Sequence, residues 1–317
     1  MKKSNRLRRI GATALAMVSV LGVAAAYRFA NAQGLFNGVH ETSPGQCRVL
    51  AGPVGDITAN TKSAYIASGN ALYVFDGGKL TKLSGTPKSF DVRAMALSRA
   101  VTGETYLRTV LTQDEGRFAI ALFRVKPDAV EEVGRVTTDM LTDPAAIAAP
   151  DPERFYVVNR SESKTAFGRF LDNTLLLPRA HLMWFDGMKF VNVAEHLNTP
   201  SGLALSFDNA RLFIAQDYPR SLVAIARNDF SGAVENPVAL TLPSGPLHIS
   251  TAPDDSLIVA ARPKTGAAEV YRVSLENGAP KTATLLYAKK GEEIRAAAEL
   301  NGTLLIGTDK SLVACAK

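Results

Sequence analysis

The chain has 317 residues, of which 46% are hydrophobic and 21% charged, with a formal net charge of +6. That charge does not mark a nucleic-acid partner: Lys2, Lys3, Arg6, Arg8, Arg9 and Arg28 fall within the first 32 residues, no acidic residue does, and the remainder holds 30 of each sign. With no basic surplus outside the leader, nucleic acid is excluded as a partner.

The N-terminus reads as an export segment. A basic start is followed by an uncharged, Ala/Val/Leu-rich stretch over residues 10–27, then Ala30-Asn31-Ala32, a small-x-small cleavage site. Two readings stand, a cleaved signal peptide ending at residue 32 and an uncleaved anchor. Arg28 sits awkwardly for the first, and the run is near the lower limit of the roughly 20 apolar residues a span needs for the second. Arg8-Arg9 matches the twin-arginine pattern only in that pair. Either route exports residues 33–317, to the periplasm or the exterior, with membrane contact only through the leader.

The two cysteines, Cys47 and Cys315, bracket everything that has strand character. One reading is two unrelated buried thiols. Terminal placement and an export segment favour a bridge joining the ends of the domain, as an oxidising compartment permits. No Ser/Gly-rich linker or charge block divides the residues between them, which points to one large β domain.

Short apolar runs then follow one another in chain order, separated by turn residues. Ser63 to Ser68 is followed by Gly69-Asn70, a second run to Phe75, and Asp76-Gly77-Gly78. The clearest second strands of such units are Tyr65-Ile66 and residues 105–111, 154–158, 211–215, 256–260 and 303–307. They recur about 40 to 57 residues apart, the spacing of propeller blades. The preceding turns, Pro150-Asp151-Pro152-Glu153, Phe207-Asp208-Asn209-Ala210, Pro253-Asp254-Asp255 and Asn301-Gly302, carry the residues turns require. Six units predict an all-β, six-bladed β-propeller, with residues 47–50 completing the last blade beside 311–314. A pair of β-sandwiches is the alternative, and it does not explain six similar units. One irregular helix is expected over residues 169–177.

Several catalytic signatures are absent: Gly-x-Ser-x-Gly, Cys-x-x-Cys, His-Glu-x-x-His and a phosphate-binding glycine loop. The four histidines are His40, His181, His196 and His248. His40 precedes the globule, and His181 and His196 read as structural. Asn159-Arg-Ser and Asn301-Gly-Thr match the short glycosylation sequon.

The segment from Cys47-Arg-Val-Leu-Ala-Gly-Pro-Val-Gly to Asp56-Ile resembles the opening of the paraoxonase/arylesterase-like proteins. So do Phe155-Tyr-Val-Val-Asn159, Leu176-Leu-Pro-Arg with Trp184-Phe-Asp-Gly, Pro200-Ser-Gly-Leu-Ala-Leu-Ser-Phe-Asp, and the closing run from Asn301 to Cys315. The resemblance spans nearly all of residues 35–317. It implies a six-bladed propeller with paired terminal cysteines. It also implies a channel calcium that polarises an ester or lactone carbonyl while a His-containing base activates water.

The matching positions depart from that pattern. Of an expected Glu-Asp pair only Asp56 remains, after Gly55. Asn159 is kept but is followed by Arg160, not an acid. Ser201 replaces an Asn, Leu247-His248 an Asp-Asn pair, and Arg93 and Thr112 the histidines of the second unit. Asp56 and Asn159, with Ser201, would give at most three oxygen ligands, against the six to eight calcium usually takes. Arg93 and Arg295, at inner-strand starts, would oppose a divalent cation if they point inward. Otherwise they pair with Asp56 or Glu293 or reach solvent.

Two functions stay open. One is an exported arylesterase/lactonase with Asp56 and Asn159 on calcium and His248 as base. The other is a propeller that has lost the metal and holds an anionic small molecule in its channel through Arg93, His248 and Arg295.

Overall fold

The computed structural model describes residues 19–20, 22–28, 41–262 and 267–316. Most of the leader, its cleavage motif and His40 lie outside the described residues. Residues 22–28 are helical, and among the described residues no helix is long and apolar enough to cross a membrane.

The described residues form six four-stranded antiparallel sheets. Blade 1 is β2 (Asp56–Ala59), β3 (Ala64–Ser68), β4 (Ala71–Asp76) and β5 (Lys79–Lys82). Blade 2 is β6 (Val92–Arg99), β7 (Thr105–Thr112), β8 (Phe118–Val125) and β9 (Val130–Thr137). Blade 3 is β10 (Pro144–Ala148), β11 (Phe155–Asn159), β12 (Ala180–Phe185) and β13 (Phe190–Leu197). Blade 4 is β14 (Pro200–Leu205), β15 (Arg211–Gln216), β16 (Ser221–Arg227) and β17 (Val234–Thr241). Blade 5 is β18 (Gly245–Thr251), β19 (Leu257–Arg262), β20 (Ala267–Glu276) and β21 (Ala279–Lys290). Blade 6 is β22 (Ile294–Leu300), β23 (Thr303–Thr308), β24 (Leu312–Ala316) and, returning from the start of the domain, β1 (Gln46–Ala51).

The first strand of each blade lies innermost and packs against its two neighbours, so that β2, β6, β10, β14, β18 and β22 close a ring. The ring follows from the burial of the strands beside them. Both faces of β11 and β19 are buried, which is why they read as continuous apolar runs instead of alternating ones. Each face packs on a different neighbouring blade. Val110 and Ile120 meet Ile147 and Val157 between blades 2 and 3, Tyr156 and Trp184 meet Ile214 and Ile225 between blades 3 and 4, and so on round the ring. The ring closes where Leu300 and Leu305 of blade 6 meet Ile57 and Ile66 of blade 1. Six sheets with six cyclic apolar interfaces replace the sandwich alternative.

The bridge Cys47–Cys315 is formed, and these two residues are directly opposite each other in the β1–β24 register. It closes a loop with a sequence separation of 268, for which chain entropy gives at most about 5 to 6 kcal/mol. The helix falls slightly earlier than expected, as α1 (Ala166–Leu175), between β11 and β12. Thr165 Oγ1 accepts the Gly168 N–H at 3.1 Å, an N-cap that fixes its start.

Candidate functional site

The inner strands turn their open edges toward the channel, so their backbone groups need partners from elsewhere. Side chains from adjacent blades supply many of them. Asp56, the first residue of β2, accepts the Met95 N–H of blade 2 on Oδ2 at 2.5 Å. His248 of blade 5 accepts the Ala297 N–H of blade 6 on Nδ1 at 3.4 Å. Ser201 Oγ donates to Pro246 O at 2.6 Å, and Ser250 Oγ donates to Ala297 O at 2.9 Å. Gly202 allows the approach of β14 to β18 at this level, since a Cβ there would stand 3.1 Å from both His248 Cα and Ile249 N.

Asp56 and His248 meet across the channel, with His248 Nε2 3.3 Å from Asp56 Oδ1. Burial pushes the Asp56 carboxyl up to about 7, against the opposing pull of the Ile57 and Met95 backbone N–H groups. Burial pushes His248 down to about 4, against its backbone contacts with Ile57 and Ala297. At neutral pH the imidazole is therefore uncharged, and the contact is a hydrogen bond and not an ion pair. Because Nδ1 accepts from Ala297, the proton belongs on Nε2, facing Asp56. That tautomer leaves His248 no lone pair for a water, and a base must first reach the proton it removes. Asp56 has the better pKa for a base, but it is 4% exposed and both its oxygens are engaged.

A cluster of charges surrounds the end of the channel where the inner strands begin. Arg93 Nη1 donates to Asp143 Oδ1 at 2.8 Å while its guanidinium lies 4.9 Å over the Phe118 ring. Arg160 Nε lies 3.6 Å from Asp143 Oδ2. Arg262 Nη2 donates to Asp217 Oδ2 at 2.9 Å. Burial lowers the Arg160 pKa, and Asp143, Arg93, Asp217 and Arg262 all act on it, which places it at the electrostatic centre of the group. Burial raises Asp217, opposed by Arg262 and Arg160. Gly245 leaves room for this carboxylate: a Cβ there would overlap Asp217 Oδ1. Buried Arg160 Nε, Arg262 Nε and Asp217 Oδ1 have no hydrogen-bond partner. Three guanidiniums thus face two carboxylates.

The expected site residues separate into different roles. Arg93 belongs to the cluster. Arg295 is half exposed, with Nη2 3.8 Å from Glu293 Oε2, and does not join it. Ser201 ties β14 to β18. Asn159 is fully buried, donating to Met140 O at 2.9 Å, contacting His181 Nε2 at 2.9 Å and accepting the Asp143 N–H at 3.2 Å. It holds Asp143 in place and shares no partner with Asp56. Calcium needs several converging oxygens. Here one candidate carboxylate faces an imidazole N–H, the candidate amide oxygen is occupied, and guanidiniums line the mouth. These residues do not fit the ion, and among the described residues no three His, Cys, Asp or Glu side chains are grouped to hold a metal.

Asp143, Asp217 and Arg262 were not singled out in the sequence, and Arg160 only as a departure. The signal was positional: Arg160, Asp217 and Arg262 fall at or just past the ends of β11, β15 and β19, equivalent places in three consecutive blades.

A family model described as Arylesterase matches residues 81–315. No curated protein gives a match. Solved structures with the same fold include a luciferin-regenerating enzyme, 12% identical with a TM-score of 0.55, covering 88% of this chain and 96% of the other. A gluconolactonase from Xanthomonas campestris is 13% identical with a TM-score of 0.54, covering 88% and 99%. The soluble aldose sugar dehydrogenase from Escherichia coli is 15% identical with a TM-score of 0.53, covering 85% and 98%. At such identities the likeness shows the fold alone.

Proposed function

The chain belongs to the arylesterase family, and from that premise we propose that it is a ligand-binding propeller whose channel mouth takes a small anion without the family's calcium-dependent ester hydrolysis. One observation carries the reading: where a metal would need converging oxygens, Arg93, Arg160 and Arg262 gather around only Asp143 and Asp217. The Nε groups of Arg160 and Arg262, which make no hydrogen bond, are donors of the kind that charge-assisted hydrogen bonds to a carboxylate or phosphate use. His248, neutral and bonded to Ala297 and Asp56, acts in this reading as a brace beneath the site. The Cys47–Cys315 bridge and the basic leader support an exported location.

Titration calorimetry with succinate and with inorganic phosphate tests the proposal. Binding of one of them should be saturable, unaffected by chelator, and weakened about tenfold or more in Arg160→Ala and Arg262→Ala. Calcium-dependent turnover of phenyl acetate, lost in Asp56→Asn, would overturn it in favour of an exported arylesterase or lactonase.

A further inference from the structure

The inner strands all begin at the arginine cluster, so they all end at the opposite face. There they surround a cavity of about 710 Å³ that starts at His248 and opens among the turns leading to the second strands. Small residues make the room: Ala59, Ala96, Ala148 and Ala204 line the wall. None of the lining residues is Asp or Glu, whereas Lys62 and Arg99 stand exposed at the rim.

The charged groups are unevenly placed. Thr58, Thr61 and Lys62 come from blade 1, and Ser98 and Arg99 from blade 2. Ser98 is only 7% exposed, and its buried hydroxyl has no hydrogen-bond partner. Arg99 donates Nε to Gly103 O at 3.1 Å and pairs with no carboxylate among the described residues, and Lys62 has no ion pair there either. In a ring of six, blade 4 stands opposite blade 1. Its apolar contribution is Leu203, Leu205 and Phe207, the last 51% exposed at the rim, and blade 3 beside it adds Ile147 and Pro150. Both cations stand on one wall, and the facing wall sets Leu203, Leu205 and Phe207 beside Ser206 and Asn209. A chamber of this size, lined by polar and apolar groups together, fits a small-molecule site.

We propose that this second chamber binds an amphiphilic monoanion, a carboxylate on a medium-length apolar body, entering from the face away from the arginine cluster. The carboxylate sits between Lys62 and Arg99. The apolar body lies along Leu203 and Leu205 and beneath Phe207. Charge sets the orientation and apolar burial provides most of the affinity.

Calorimetry with octanoate, and with 1-octanol as the uncharged control, tests this on the full domain. Octanoate should bind saturably with one site per chain and 1-octanol markedly more weakly. Because Lys62, Arg99 and Phe207 are exposed, their replacement leaves the core intact. The double variant Lys62→Gln/Arg99→Gln should weaken octanoate binding about tenfold or more, and Phe207→Ser should weaken it severalfold. Arg160→Ala should leave it unchanged, which separates this chamber from the mouth. No saturable binding at millimolar octanoate, equal affinity for 1-octanol, or indifference to the double variant would each overturn the proposal. Loss of binding in Arg160→Ala would also overturn it, by moving the ligand to the other end.

Discussion

Asp56 and His248 shift in opposite directions for the same reason, burial without a compensating charge. The consequence for stability can be worked out by sign. Folded Asp56 keeps its proton up to about 7 against a usual 3.8, so between these values the native state binds more protons than the unfolded chain and loses stability as pH rises. Folded His248 gives up its proton near 4 against a usual 6.5, so over that range the native state binds fewer protons and gains stability as pH rises. Across about pH 4 to 6.5 the two effects oppose each other. Asp56→Asn, which keeps the shape and one acceptor oxygen but no titrating group, should remove one of them. Its stability relative to the parent should then climb between pH 4.5 and 6.5 by on the order of 1 kcal/mol per pH unit. Urea unfolding at those two values measures it, and parallel pH profiles for parent and variant would show that the carboxyl does not hold its proton. The identities of both residues were legible in the sequence. Their role was not, because the partners of each are backbone groups on other blades.

The inner strands show how one small residue sets the width of the channel. In β14, Gly202 lies where a side chain would press on His248 Cα and Ile249 N, both backbone atoms that cannot rotate away. Gly202→Ala should therefore part β14 from β18 and loosen the Ser201–Pro246 hydrogen bond, costing about 1 to 3 kcal/mol. A thermal melt reads the loss, and an unchanged melting temperature would mean that the two strands can separate freely. Elements differed in how plainly they could be read. The second strands stood out because each is an apolar run behind an Asp, Asn, Pro or Gly turn. The outermost strands did not: β9 and β17 are mostly exposed, and their polar sequences resemble loops. The arginine cluster was hidden by sequence distance, since Arg93 and Asp143 are 50 residues apart and Asp217 and Arg262 are 45 apart. Only the packing of neighbouring blades brings them together.

At the scale of the molecule, blade 6 is the one blade described here that is assembled from both ends of the domain. Its outer strand β1 is shallow, with the first four residues exposed, so apolar burial holds it weakly. Backbone pairing to β24, the paired bridge of Thr42 with Ala288 on blade 5 and the disulfide hold it instead. The other blades are continuous in sequence and share deep apolar interfaces, as between Phe155 and Phe118. Replacing both cysteines by serine should therefore act locally before it acts globally. The ring should still form, because the contact between blades 6 and 1 runs through Leu300, Leu305, Ile57 and Ile66 and not through the bridge. Unfolding stability should fall by about 2 to 5 kcal/mol, less than the chain-entropy limit because the denatured chain retains structure. Hydrogen exchange separates the two levels: amides of β1 and β24 should lose protection first, while those of β11 and β12, in a blade continuous in sequence, should follow only the global change. If β11 and β12 lost protection together with β1, the staple would be holding the whole ring and not the one blade it joins.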